Sequence, residues 1–315
     1  MGNSKAVLCA GLLIQDIFLK PVDRELFDRD SVIIADPEIQ FGGDALNQAV
    51  ILNRLGINVS LAGAVGSDEA GRNIIRFLEE EKVEHSMVNV LDESVTTGSY
   101  VLCESSGERH FLVCGNAKHR YLFDDYDRLK DYQLVSIGSL CCMERMDRGG
   151  SLRLLQEAKK RGIMTAADFS GLYTGPEKEI RTLLEHIDYL WPSYEEAVSI
   201  AGETEPEKII SRLKELGASN IILKLGKNGS LVRNARTGEI TAIPAIEVEA
   251  VDTTGAGDNF VAGCIYGLMN GKSLEEAAEI GAVTGAVAVT AVGANKAVRN
   301  REQVEGFRKR QQRKR

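Results

Sequence analysis

The chain is short of the residues that mark metal sites, disulfide frameworks and membrane spans. Its 315 residues include four histidines, six cysteines and one tryptophan. Cys9, Cys103, Cys114, Cys141, Cys142 and Cys264 contain no Cys-x-x-Cys pair, and no histidine stands at zinc-ligand spacing from them, so buried thiols in a reducing compartment are expected. No apolar run approaches the ~18 residues of a membrane span. The start, Met-Gly-Asn-Ser-Lys-Ala, lacks a signal-peptide layout and the Ser or Thr that myristoylation needs at position 6. Positive charge is also in deficit. The net charge of −8 argues against a general binder of nucleic acid or anionic membrane. The basic exception, residues 299–315, reads as a solvated helix end. Linkers, low-complexity segments and internal repeats are missing too. The expectation is a soluble, cytoplasmic protein whose residues 1–315 form a single domain.

What is present is regular strand–helix alternation. An apolar run from Ala6 to Ile14 has strand length, and Asp16 follows it. Gly42-Gly43-Asp44-Ala45-Leu46-Asn47 then opens a helix that Gly56 stops, with Asp44 and Asn47 on one face and able to hydrogen-bond a polyol. Strand patterns at 58–64, 133–137, 163–167, 187–191 and 220–225 alternate with helix patterns. Such an order predicts an α/β fold, a doubly wound, mainly parallel sheet with helices on both faces. Asp16, Asp168, Ser193, Lys224 and Asp252 would line one edge at strand C-terminal ends, where ligands bind in open α/β sheets. Residues 97–113 read instead as a hairpin. Joined by a short strand at Ser31–Ala35, the hairpin predicts a small β-sheet lid, built from about 17–41 and 97–114. The lid would cover a site, and its open face suits a homodimer. Arg109, on the hairpin, is placed in the substrate site.

The most informative stretch is Val251-Asp252-Thr253-Thr254-Gly255-Ala256-Gly257-Asp258-Asn259-Phe260. Ile243 to Val251 reads as a strand, and Phe260, Val261, Cys264, Ile265 and Leu268 recur at helical spacing. The turn amides would sit at the positive end of a helix, ready for phosphate or a developing oxyanion. A carboxylate beside bound phosphate is unfavourable unless it has a task. As a base taking a proton from an attacking hydroxyl, Asp258 has one, and phosphoryl transfer follows. Competing glycine motifs fail: the turn lacks the third glycine of a dinucleotide fingerprint, and Gly267–Ser273 is one residue short of a P-loop and ends a helix.

These residues resemble the ribokinase-like sugar kinases, the PfkB carbohydrate kinase family. The resemblance rests on Gly42–Ala49 with Gly63-Ala64-Val65-Gly66-Ser67-Asp68, and on Asp252–Asp258. It implies a doubly wound domain with a small β lid, and ATP, Mg2+ and K+ as cofactors. It further implies Asp258 as catalytic base and Gly255, Ala256 and Gly257 as the anion hole. Asp16, Gly43 and Asn47 would hold the sugar, with Asp44 beside them. Lys224, Gly226, Gly229 and Thr254 would bind the nucleotide, Asp252 the potassium ion, and Glu196 magnesium. Three positions depart from the pattern: Ser193 replaces an Asn, Phe169-Ser170 replaces an Asn-containing run after Asp168, and Ala282 stands where some members contact adenine through Asn. The implied reaction is transfer of the γ-phosphoryl of ATP to a primary hydroxyl of a sugar or sugar acid. A nucleoside kinase and a catalytically silent sugar-binding regulator are the alternatives.

Overall fold

Alternation along the first strand sets the layers. In β1 (Ala6–Ala10), Val7 and Cys9 join one hydrophobic core while Ala6, Leu8 and Ala10 join another, as a pleated strand buried on both faces requires. The computed structural model describes residues 6–34, 37–104 and 108–312. Thirteen strands fall in the described residues: β1, β2 (Ile14–Leu19), β3 (Glu38–Gly42), β4 (Val59–Gly66), β5 (Glu84–Leu91), β6 (Gly98–Cys103), β7 (Arg109–Cys114), β8 (Tyr132–Leu140), β9 (Met164–Phe169), β10 (Tyr189–Leu190), β11 (Asn220–Lys224), β12 (Ser230–Arg233) and β13 (Ile240–Ile243). Nine form one sheet in the order β13-β12-β11-β10-β9-β8-β1-β4-β5, parallel except for the antiparallel β11-β12-β13 end. The other four form a separate sheet, β3-β2-β6-β7. The fold is therefore doubly wound α/β with a small second sheet.

The helices are α1 (Asp44–Arg54), α2 (Glu69–Glu80), the single turn α3 (Ala117–Arg120), α4 (Ser151–Lys160), α5 (Glu177–Leu184), α6 (Tyr194–Ala201), α7 (Pro206–Glu215), α8 (Ala256–Met269), α9 (Leu274–Ala288) and α10 (Arg301–Gln312). α1, α2, α8 and α9 fill one core; α4, α5 and α7 fill the other. Ser273 and Glu276 close a reciprocal capping box on α9, as their spacing predicts. α8 and α9 approach closely because a Cβ on Gly263 would stand 2.5 Å from the Thr284 hydroxyl, and one on Gly281 2.5 Å from the Cys264 sulfur. Among the described residues no helix is long and apolar enough to cross a membrane.

From β1 the chain winds first to β4 and β5, then returns to β8 on the other side, so the winding direction reverses between β1 and β8. The N-terminus of α1 sits over this reversal. A Cβ on Gly138 of β8 would come 2.9 Å from the Ala45 amide, and one on Gly43 would come 2.3 Å from the Leu12 carbonyl.

Five expectations are corrected. The apolar run after Ala6 is two elements: β1 stops at Ala10, because Gly11 crosses Ser139 and Ala45 with no room for a side chain and the Leu12 amide donates to the Ser139 hydroxyl. Asp16 consequently lies inside β2 of the small sheet rather than at the edge of the large one. Residues 31–34 form no strand, and Ala35 lies outside the described residues; the strand of that stretch is β3, aligned antiparallel to β2. The ladder of β13 stops at Ile243, where Pro244 offers no amide, and 244–250 continue unpaired. Cys114 is exposed, since β7 is an edge strand.

Candidate active site

Two helix N-termini converge. Gly43 (φ 97°) caps α1 and Gly255 (φ 71°) caps α8, both in backbone regions that favour glycine. The turn before α8 is shaped by Asp252, whose Oδ1 accepts the Thr254 amide at 2.9 Å, an Asx turn. The Ala256 amide bends back to the Thr253 carbonyl (3.2 Å), which leaves Gly257 and Asp258 as first-turn amides with no carbonyl to bond. Of the three turn residues expected to offer amides to an anion, Ala256 thus has its amide already bonded within the turn.

Asp258 and Asn47, 211 residues apart, meet here. Asn47 Nδ2 donates to Asp258 Oδ2 at 2.7 Å. Asn47 is itself oriented by Asn295, whose Nδ2 donates to Asn47 Oδ1 (3.0 Å) and to the Phe41 carbonyl (2.9 Å). The Asn295 carbonyl accepts from the Arg54 guanidinium. Sequence reading did not find Asn295, and its place between a loop and a basic tail gives no signal. Burial raises the Asp258 carboxyl above the usual carboxylate range; the Asn47 hydrogen bond and the Lys224 charge pull it down in part, and Glu196 opposes them.

One border of the site comes from the small sheet. A Cβ on Gly42 would stand 3.6 Å from Asp16 Oδ2 and 3.7 Å from Asn47 Oδ1, so both polar groups border the space above this glycine. Ser99 donates to Asp16 Oδ1 from the neighbouring strand, another partner that sequence did not reveal. Burial pushes Asp16 up and the Ser99 hydroxyl brings it partly back.

A cavity of about 770 Å3 lies alongside, lined by Asp44, Asp168, Glu196, Lys224 and the 255–258 turn among others. Lys224 Nζ bonds both Asp168 oxygens, at 2.8 and 2.7 Å, and a Cβ on Gly257 would stand 3.5 Å from it. The ammonium thus bridges β9 to the glycine turn. Burial pushes Asp168 up to about 7 against the pull of Lys224, and Glu196 and Asp258 add to the rise. Burial would discharge Lys224, but the surrounding carboxylates outweigh it and hold the amine more basic than usual. The Asp44 carboxylate accepts from the Ser170 hydroxyl, and burial with Asp258 and Asp168 nearby raises it well above the usual range. Glu196 spends Oε2 on the Ser193 amide (2.7 Å), a capping box that starts α6.

A second cavity of about 340 Å3 adjoins the first, sharing Lys224, Gly226, Thr253, Ala256 and Gly257 with it. Its far end is apolar: Ile246, Val248, Phe260, Ala282, Ala286 and Val289. The unpaired segment after Pro244 supplies one wall, which explains its apolar composition. Gly229 (φ 86°) lies here too, with the Ile243 carbonyl 2.1 Å from where its Cβ would be.

Residues 4–301 match the pfkB family carbohydrate kinase pattern, nearly the whole chain. The chain belongs to the pfkB family of carbohydrate kinases. This pfkB kinase is 28% identical over 86% of its length to the ribokinase of Haemophilus influenzae, covering 88% of that protein. It is 26% identical to the 2-dehydro-3-deoxygluconokinase of Escherichia coli, over 82% of this chain and 91% of that one. Its fold superposes on the Arabidopsis thaliana ribokinase solved with ribose and ATP at a TM-score of 0.83, with 22% identity, over 97% of this chain and 99% of that one. The family resemblance and the fold class read from sequence are borne out, and with them the enzyme class, a kinase.

Two placements differ from expectation. Thr254 turns its hydroxyl to Asp252 Oδ1 (2.7 Å), and Thr253 lines both cavities in its stead. Arg109 turns to Asp252 instead: its Nη1 lies 3.0 Å from Asp252 Oδ1 and 2.6 Å from Thr254 Oγ1. Asp252 Oδ2 accepts the Gly293 amide at 2.9 Å. Burial alone would raise the Asp252 carboxyl, but these donors hold it below the usual range. A potassium ion does not fit this donor set. Both oxygens already accept N–H groups, and a second unit charge about 4 Å from the guanidinium would cost roughly 4 kcal/mol at an effective dielectric of about 20.

Proposed function

We propose that this pfkB kinase transfers the γ-phosphoryl of ATP to a primary hydroxyl of a sugar or sugar acid, with Asp258 as base. The observation that carries the reading is the Asn47–Asp258 contact at the meeting of the two helix N-termini. It puts a desolvated carboxylate between polyol-binding groups and the first-turn amides of α8. The acceptor hydroxyl would lie above Gly42 against Asp16, Asn47 and Asp258. Asp258 takes its proton as the oxygen attacks; the Gly257 and Asp258 amides face the charge that moves during transfer. The small sheet acts as a lid that excludes water.

The two adjoining cavities suit ATP: an apolar slot for the base, then the turn for the phosphates. Five carboxylates, Asp44, Asp168, Glu195, Glu196 and Asp258, face this space against Lys224. A polyphosphate enters such a field only with cations, so the donor set fits magnesium. Glu196, through its second oxygen, and Asp44 would hold the ion, directly or through waters. Magnesium supplies neutralisation of the phosphate oxygens. The decisive experiment is an ADP-release screen of sugars, sugar acids and nucleosides. Turnover on a sugar or sugar acid supports the reading, turnover confined to nucleosides transfers the proposal to that class, and binding without turnover favours the regulator. Ala282→Leu, which narrows the slot, is expected to raise KM for ATP about tenfold and leave the sugar KM within about twofold.

A homodimer through the lid is part of the proposal. Strand pairing aligns Ile39, Ile17, Tyr100 and Leu112 in one row across all four strands. Three of them are exposed, at 49%, 45% and 55% for Ile39, Tyr100 and Leu112. Asp16 and Ser99 take the opposite face, so the row points away from the site. Light scattering should give twice the 34.4 kDa chain mass. The double variant Tyr100→Glu/Leu112→Lys should give the single mass.

A further inference from the structure

The resemblance places a monovalent cation at Asp252, and the structure fills that place from within. Arg109 belongs to β7, the edge strand of the small sheet, and is 143 residues from Asp252 in sequence. Its Nη1 contacts Asp252 Oδ1 at 3.0 Å and Thr254 Oγ1 at 2.6 Å. The Asp252 side chain is 6% exposed and that of Arg109 28%, so the pair is largely withdrawn from water. Thr254 directly precedes Gly255, the left-handed cap of α8. A guanidinium fixed here holds the turn from which the first-turn amides project. Its planar, permanently charged group keeps both oxygens oriented at any working pH.

We propose that Arg109 is the built-in cation of this kinase: it takes the place of a monovalent ion at Asp252 and couples the position of the small sheet to the shape of the 252–258 turn. Arg109 is a positioning residue, since it touches the turn and not the acceptor space. A lid displaced from the body withdraws the guanidinium and leaves Asp252 without its cation. The lid therefore has to be seated before the turn is set, and activity needs no added potassium. The inference rests on the kinase reading for its catalytic part alone; the ion exchange at Asp252 can be read in the absence of turnover.

The test compares native enzyme, Arg109→Ala and Arg109→Lys in potassium chloride and in tetramethylammonium chloride at equal ionic strength. Turnover and thermal midpoint are recorded for each. Native enzyme should have equal kcat and equal midpoint in the two salts. Arg109→Ala should lose at least about tenfold in kcat, with a smaller change in the acceptor KM, and have a lower midpoint in tetramethylammonium. Potassium should recover a measurable part of both losses, because the emptied site can then take an ion. Arg109→Lys should fall between the two and respond little to potassium. A native enzyme that loses tenfold or more without potassium would overturn the inference. So would an alanine variant whose losses potassium fails to reduce, or one with no loss. If Arg109→Ala does not fold, the neutral Arg109→Gln decides by the same salt comparison. If no acceptor is turned over, the midpoints still answer for the ion while the kinase reading fails by itself.

Discussion

Asp258→Asn should lower kcat at least a hundredfold while ATP and sugar binding stay within about threefold of native. The amide preserves the volume and an oxygen that can accept from Asn47, whose Nδ2 now bonds Asp258 Oδ2 at 2.7 Å, so the site should keep its shape. What disappears is the proton acceptor. Because burial lifts the native carboxyl above the usual range, the acid limb of kcat/KM should lie above about pH 4, with activity lost as pH falls through the raised value. The residual activity of the variant should lack that limb. Rapid-mix turnover with calorimetric binding checks the division: a variant with near-native kcat would remove Asp258 as base, and one that fails to bind sugar would make it a binding group.

The second large effect concerns stability. Lys224→Met leaves Asp168 buried without its partner, and removing one member of a buried pair typically costs about 3–5 kcal/mol. The loss should depend on pH in a definite sense. In the unfolded chain Asp168 ionises near 3.8, and in the fold at about 7. The native state therefore binds this proton more tightly. The associated stability is complete below pH about 4 and is lost as pH rises towards 7. Lys224 lowers the folded value, so its removal moves that value higher and extends the decline to higher pH. Thermal melts of both proteins from about pH 5 to 8.5 test this. A variant whose midpoint runs parallel to the native curve would show that Lys224 does not set the charge of Asp168. Turnover should fall too, since the ammonium lies beside the Gly257 turn.

Much of this arrangement was legible because its signals are local. Gly255, Gly257 and Asp258 announce a turn between apolar periodicities, and Ser273 with Glu276 announce a cap; each needs only a few neighbouring residues. The order of strands and helices likewise follows from hydrophobic period. Where reading failed, the deciding partner was distant. Ala6–Ile14 is uniformly apolar, and nothing local says that Ser139 and Ala45 force a break at Gly11. The stretch after Pro244 has strand composition, yet its side chains serve a cavity wall. Arg109 looks like any hairpin charge until Asp252 is found beside it. The same holds for Ser99 against Asp16 and for Asn295 against Asn47, pairs with no periodicity to betray them.

Asn295 has one more implication, for the order in which the molecule becomes functional. It contacts Asn47 across 248 residues, and through Asn47 it bears on Asp258. A growing chain leaving the ribosome can complete most strand–helix units from the N-terminus onward, each with mostly nearby contacts. The Asn47–Asp258 contact is different: its orientation waits until Asn295 has emerged and docked. Loop closure on that scale is slow relative to local helix formation. A nascent chain that has not yet released Asn295 would thus carry most of its strand–helix units without the contact that orients Asn47 against Asp258.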